Sequence, residues 1–143
     1  IPTTTFTGVD DLHPVANTPT WTTSTSASIF GSLTLTPNMT LTASTQACVF
    51  EGRSSYTLTS AGLSFAKNIT LNAPTGTLTL KNALTDGVTN TLTITNGTLS
   101  AVDGATNSVI STGLISVGTA GTITLGSATH LLTGTGTILM TLF

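Results

Sequence analysis

Apolar and polar residues alternate with a period of two through most of the chain from Gly31 onward. Leucine or isoleucine alternates with threonine in short runs, including 33–35, 78–80, 92–94 and 123–125. This alternation predicts half-buried β-strands, because successive side chains of a strand point to opposite faces of the sheet. Clusters of Gly, Asn, Asp, Ser and Pro separate the runs and predict turns.

The strand-like runs also recur at a longer interval of about 23 residues. One series of apolar positions has steps of 23, 22, 21 and 24, and a second series has three steps of 23. The first series is Leu33, Tyr56, Leu78, Leu99 and Ile123, and the second is Ile69, Leu92, Ile115 and Ile138. Two interleaved series with one period predict an all-β fold, a parallel β-solenoid of about five coils in which like residues stack.

A second fold stays open, a pilin-like β-sandwich with strand exchange. Its strands recur about every 8 to 12 residues, which a chain rich in Thr and Leu also satisfies. The long period has an exception as well, because the interval from Met39-Thr40-Leu41 to Ile69 is clearly longer than the other steps.

Residues 1–30 differ from the body predicted for residues 31–143. Three of the five prolines and the only tryptophan, Trp21, fall in this segment. Since proline interrupts β-ladders, we expect residues 1–30 to form an extended N-terminal arm or cap. The alternating stretch 3–7 is of the kind that adds to a neighbouring sheet as a strand.

Composition excludes several classes of function. Threonine accounts for 36 of 143 residues, whereas Asp, Glu, Lys and Arg together make up 6%. Three cations are too few for the basic face that nucleic-acid binding requires. No apolar run is long enough to predict a membrane span.

The sequence contains no recognisable catalytic pattern, so we expect no enzymatic activity, no cofactor and no metal. Asp86 and Asp103 are the only acids after position 51, whereas glycoside hydrolysis needs two carboxylates that flank the substrate. The cluster of Asp10, Asp11 and His13 is interpreted as a solvated turn rather than a metal site.

Three further positions have structural interpretations. Cys48 lies in an apolar stretch and is interpreted as a small core residue. Asp86-Gly87 and Asp103-Gly104 predict turns. Lys67 and Lys81 are expected at strand ends, where a charge hinders pairing between edges.

The chain begins at Ile1, which we interpret as the result of leader removal. We therefore expect a secreted protein that is extracellular or on the cell surface. Asn38, Asn68 and Asn96 stand in sequons and are candidate glycosylation sites if the source cell glycosylates.

The run Gly76-Thr77-Leu78-Thr79-Leu80 is typical of residues 31–143. On this pattern the segment resembles secreted Thr/Ser/Gly-rich β-solenoid proteins of surfaces, fibres and filaments, such as adhesin passenger domains, phage fibre repeats and extracellular filament subunits. The resemblance implies a structural or adhesive role without catalysis, and it transfers no site residue.

We expect a structural subunit of a self-assembling extracellular filament or surface appendage, in which copies of the chain join by β-strand addition. Solenoid ends carry unpaired strand edges, which a partner must cover. The residues expected at the assembly contact are Phe6, Trp21, Ile138, Met140, Leu142 and Phe143.

Two other functions stay open. One is a viral fibre or adhesin module that binds surface glycans. The other is an ice-binding protein, because rows of outward Thr on a flat β face can match an ice lattice. High β propensity alone also explains the abundance of threonine.

Overall fold

The alternating runs form strands throughout the residues that the computed structural model describes, which are 4–7, 20–23, 25–132 and 138–140. These residues contain no helix, and therefore none that is long and apolar enough to cross a membrane. The strands are β1 (Thr4–Thr7), β2 (Thr20–Thr23), β3 (Ala27–Ile29), β4 (Leu33–Thr34), β5 (Thr40–Leu41), β6 (Cys48–Phe50), β7 (Ser55–Thr59), β8 (Ile69–Leu80), β9 (Leu84–Ser100), β10 (Val102–Asp103), β11 (Thr106–Asn107), β12 (Ile110–Thr124), β13 (Leu131–Leu132) and β14 (Ile138–Met140).

Nine of these strands form one sheet in which every pairing is parallel. A sandwich would pair its strands in antiparallel order, so the prediction of a parallel β-solenoid is confirmed. The solenoid has about four turns, one fewer than the spacing in the sequence indicates.

The first face of the solenoid is built around the second sequence series. Ile69 pairs with Leu92, Leu92 with Ile115, and Ile115 with Ile138. β3 and β6 continue the same face toward the N-terminus. The three equal steps in the sequence are therefore three turns of the solenoid.

The second face contains the first series, with one correction. Tyr56, Leu78, Leu99 and Ile123 pair in succession as predicted. Leu33, however, pairs with Leu58 rather than with Tyr56. The corner between β3 and β4 is short. The strand of the first coil on the second face is therefore shifted by two residues relative to the predicted pairing with Tyr56.

The third face is absent from the sequence prediction. Thr40 and Leu41 pair here with Thr20 and Trp21, which explains why this run did not fit the period of the first face. Farther along, Leu84 pairs with Ile110. That step is longer than those of the first face because the antiparallel hairpin β10–β11 lengthens the coil, with its turn at the predicted Asp103-Gly104.

Inward side chains of successive coils stack into a single apolar core. Burying one such aliphatic side chain stabilises the fold by about 1.5–3 kcal/mol. The largest fully buried apolar side chains are Phe50, Phe65, Leu58, Ile69, Leu71, Leu78, Leu80, Leu84, Leu92, Ile94 and Leu99.

Glycine is required where the chain turns from the first face to the second. Gly97 has φ +85°, and a Cβ there would overlap the carbonyl oxygen of Ala73. A Cβ at Gly76 would overlap the carbonyl oxygen of Gly52, one coil away. These corners lie too close together for any side chain, which is why glycine precedes the strands of the second face.

The strands of the segment expected as an arm belong partly to the solenoid. β3 pairs with β6 in the large sheet, and β2 pairs with β5. β1 pairs antiparallel with β2 and completes a small three-stranded sheet.

Candidate functional site

One end of the solenoid, here called the first end, is formed by β3 and β4 on the first and second faces, whereas its third face is formed by β2, which β1 covers. Within the described part of the chain, β3 and β4 each have a pairing partner on one side only: β6 for β3, and β7 for β4. Ile29 and Leu33 pack against the core but remain half-buried. The first end therefore combines strand edges with partly exposed aliphatic side chains.

The direction of the free hydrogen-bonding groups follows from the ladder. The amide of Ala27 donates to Ala47 O, and Ile29 O accepts from Glu51, so both residues face β6. Alternate residues of a parallel strand bond to opposite sides. The N–H and C=O of Ser28 therefore point away from the solenoid.

The same alternation applies to β4. The amide of Leu35 donates to Thr59 O, so Leu33 and Leu35 face β7. The N–H and C=O of Thr34 point away from it.

The opposite end, here called the last end, includes residues 122–124 of β12 on the second face. Thr124 O accepts from the amide of Ala101, so Thr122 and Thr124 face β9. The main-chain groups of Ile123 point the other way. The Ile123 side chain is half-buried, like the aliphatic side chains of the first end.

A histidine covers part of the last end on the third face. The Ile110 amide donates to His130 Nδ1 at 3.1 Å, and His130 Nε2 lies 2.9 Å from Leu125 O, an acceptor. The ring thus replaces a strand partner for Ile110.

The outward residues of the second face form two straight rows of hydroxyl side chains, named here the threonine face. One row pairs Ser55, Thr77, Thr98 and Thr122, and the other pairs Thr57, Thr79, Ser100 and Thr124. Neither row contains a charged residue. The ion pair between Lys81 Nζ and Asp103 Oδ2, at 2.9 Å, lies beyond Thr79 and Ser100 in sequence.

The residues expected at the assembly contact have different positions. Trp21 is 2% exposed, and its ring makes an edge contact with Phe65 at 6.5 Å between centroids. Phe6 is in register with Trp21, and Ile138 and Met140 pair along β12. Leu142 and Phe143 lie outside the described residues, as do Asp10, Asp11 and His13.

Lys67 was expected at a strand end, and Asp86 was expected in a turn. Both residues are buried, at 1% exposure. Lys67 Nζ lies 5.3 Å from the centre of the Trp21 ring, a cation–π contact, and burial lowers its pKa. Burial raises the pKa of Asp86 to about 6. Lys81 follows directly after the last residue of β8, at a strand end as expected, and is exposed.

Cys48 is fully buried, and burial raises the pKa of its thiol to about 12. The interpretation of Cys48 as a core residue agrees with this position. Within the described residues, no three His, Cys, Asp or Glu side chains are grouped as metal ligands.

The three sequons differ in their surroundings. Asn38 is exposed in a turn. Asn68 Oδ1 accepts the Thr91 amide at 2.9 Å, and Asn96 Nδ2 donates to Asn72 Oδ1 at 2.6 Å. The side-chain amides of Asn68 and Asn96 therefore hold neighbouring coils together.

No protein-family model, curated protein or solved structure matches this chain.

Proposed function

We propose that the protein is a structural subunit of a self-assembling extracellular filament or surface appendage. Copies join end to end by β-strand addition, the last end of one copy pairing with the first end of the next. The observation that supports this proposal is the pair of strand edges at Thr34 and Ile123, which have no strand partner on their outer sides among the described residues.

Strand direction makes the two ends compatible. All strands on the second face run parallel, so a second copy stacked in the same orientation continues the ladder without reversal. A head-to-tail contact of this kind does not close on itself and produces a filament.

The side chains at the ends support the same contact. Ile29 and Leu33 at the first end, and Ile123 and Leu125 at the last end, are half-buried. Stacking two copies would remove their remaining surface from water, which is favourable at roughly 25 cal/mol per Å². Charged residues are few in the chain, at 6%, so the contact buries little charge.

The proposal is tested by negative-stain microscopy and sedimentation velocity of the full chain at rising concentration. We expect unbranched filaments and a sedimentation coefficient that increases with concentration. A single compact species at high concentration would contradict the proposal.

A second candidate function, ice binding, is favoured by the threonine face. Strand spacing sets about 4.8 Å between coils, and two residues along a strand span about 6.6–6.8 Å. The face thus presents hydroxyl and methyl groups on a regularly spaced, uncharged grid, as a periodic crystal surface requires.

Thermal hysteresis of the protein tests this second function. Thr79→Lys, in the middle of the threonine face, should abolish hysteresis. Thr93→Lys, an outward substitution on the first face, is the matched control and should leave it unchanged. Absence of hysteresis at millimolar protein would remove ice binding.

A further inference from the structure

Asp86 is a carboxylate placed inside the apolar core. It follows Leu84 on the third face, and its side chain is 1% exposed. The bridge between Ser64 and Thr85 aligns Asp86 with Phe65 of the preceding coil. The carboxylate therefore occupies a core level that the preceding coil fills with an aromatic ring.

Neither oxygen of this carboxylate has a hydrogen-bond partner among the described residues. A buried charge without a partner is costly, and proteins offset that cost with a proton, a counter-charge or a metal. Lys67, the buried cation of the third face, has its Nζ over the Trp21 ring. Burial is the main cause that raises the pKa of Asp86, and the nearby Thr112 side chain and the main chain of Asp86 itself lower it in part.

Further oxygen atoms surround Thr112, which pairs with Gly87 on the next coil. Thr112 Oγ1 lies 3.4 Å from Asn90 O and 3.3 Å from Leu114 O. A hydroxyl has one proton, so it cannot donate to both carbonyls and to the nearby carboxylate at once. The nearby side-chain amide of Asn90 donates through Nδ2 to the main-chain oxygen of Asp86, not to its carboxylate.

The main chain is shaped to bring these oxygens together. The ladder shifts register on both sides of Thr112, where residues 88–90 face Gly113 alone. A Cβ at Gly113 would overlap Val88 O and lie 2.8 Å from Asn90 O. Val88 itself is 57% exposed. The corner therefore lies at the surface, and the oxygens lie close beneath it.

We propose that Asp86 anchors an internal site for one hard cation of the calcium class, completed by the Thr112 hydroxyl and the main-chain carbonyls at the corner of residues 87–90 and at Leu114. Carboxylate, hydroxyl and carbonyl oxygens are the ligands that such cations prefer. The cation supplies the positive charge that the buried carboxylate lacks and links two coils where the ladder is irregular.

The test compares the full chain, stripped with EDTA, with and without CaCl₂ by isothermal titration calorimetry and thermal melting. We expect one site with a dissociation constant of about 10⁻⁴–10⁻³ M. We also expect calcium to raise the melting temperature by about 3 °C or more. Asp86→Asn, which keeps the size of the side chain, should abolish both effects.

Asp103→Asn is the matched control, since Asp103 is a surface carboxylate paired with Lys81. This variant should keep the calcium response of the parent chain. The proposal is overturned if the parent chain binds no calcium, or if Asp86→Asn keeps the response. Stabilisation by acid alone, without any effect of calcium, would show that a proton rather than a metal neutralises Asp86.

Discussion

Thr34 and Ile123 lie on the same face of the solenoid at opposite ends, and the main-chain N–H and C=O groups of each point away from the coil with which its strand pairs. The strands that carry them run in the same direction. In the proposed assembly, a second copy shifted along the axis pairs its Ile123 edge with this Thr34 edge.

Proline at the first end should block assembly without harming the fold. Ser28→Pro together with Thr34→Pro removes two outward N–H groups, and neither residue bonds to the neighbouring coil. We expect filaments to disappear, while the free energy of unfolding of the monomer changes by less than about 1 kcal/mol.

Ser28→Ala together with Thr34→Val is the control, because it changes the same side chains and keeps both N–H groups. Electron microscopy should show filaments for the control and none for the proline variant. Filaments in both would mean that these edges do not form the contact.

Gly97→Ala should be strongly destabilising, by roughly 3 kcal/mol or more. The substitution combines a left-handed backbone with overlap against Ala73 O. Gly31→Ala, where the new methyl meets open space, should change the free energy of unfolding by less than about 0.5 kcal/mol. Urea denaturation measures both, and equal effects would argue against close contact at the glycine corners.

The asparagine contact between coils should contribute measurably to stability. Asn96→Ala removes the hydrogen bond from Nδ2 to Asn72 Oδ1 and should cost about 1 kcal/mol in urea denaturation. Asn38→Ala, at the exposed turn, should cost close to nothing. A larger loss at Asn38 than at Asn96 would contradict the assigned contacts.

Cys48 should be unreactive in the folded protein. Since burial raises the pKa of its thiol to about 12, iodoacetamide at pH 8 should alkylate the native chain about a hundredfold more slowly than the chain in urea. The raised pKa also has a consequence for stability. The protonated thiol favours the folded state up to pH 9 or so, and this contribution is lost as the pH rises toward 12.

Mass spectrometry of the alkylated peptide measures the rates. Similar rates in buffer and in urea would show that the coil around Cys48 opens readily.

The sequence predicted the first and second faces because their inward residues are regularly spaced and nearly all apolar. Ile69, Leu92 and Ile115 recur at equal intervals, and the structure stacks them in that order. The pairing of Leu33 was predicted wrongly because the alternation of apolar and polar residues within strands does not predict the length of the corner between them.

The third face could not be predicted from apolar periodicity. Its inward positions include Asp86 and Thr112 among apolar residues, and the hairpin β10–β11 lengthens one of its coils. Asp86-Gly87 predicted a turn, whereas the structure keeps both residues within β9, with φ +91° at Gly87. The Asp-Gly pattern does not predict the direction of the Asp86 carboxylate, because that direction depends on how the coils stack.

Hydrogen–deuterium exchange of assembled and dilute protein tests strand addition most directly. If copies pair through their edges, peptides containing Ser28, Thr34 and Ile123 should exchange much more slowly in the assembled sample, because their amides become hydrogen-bonded. Peptides from the threonine face of the inner coils should exchange equally in both samples. Equal exchange at the two ends in both samples would contradict the account.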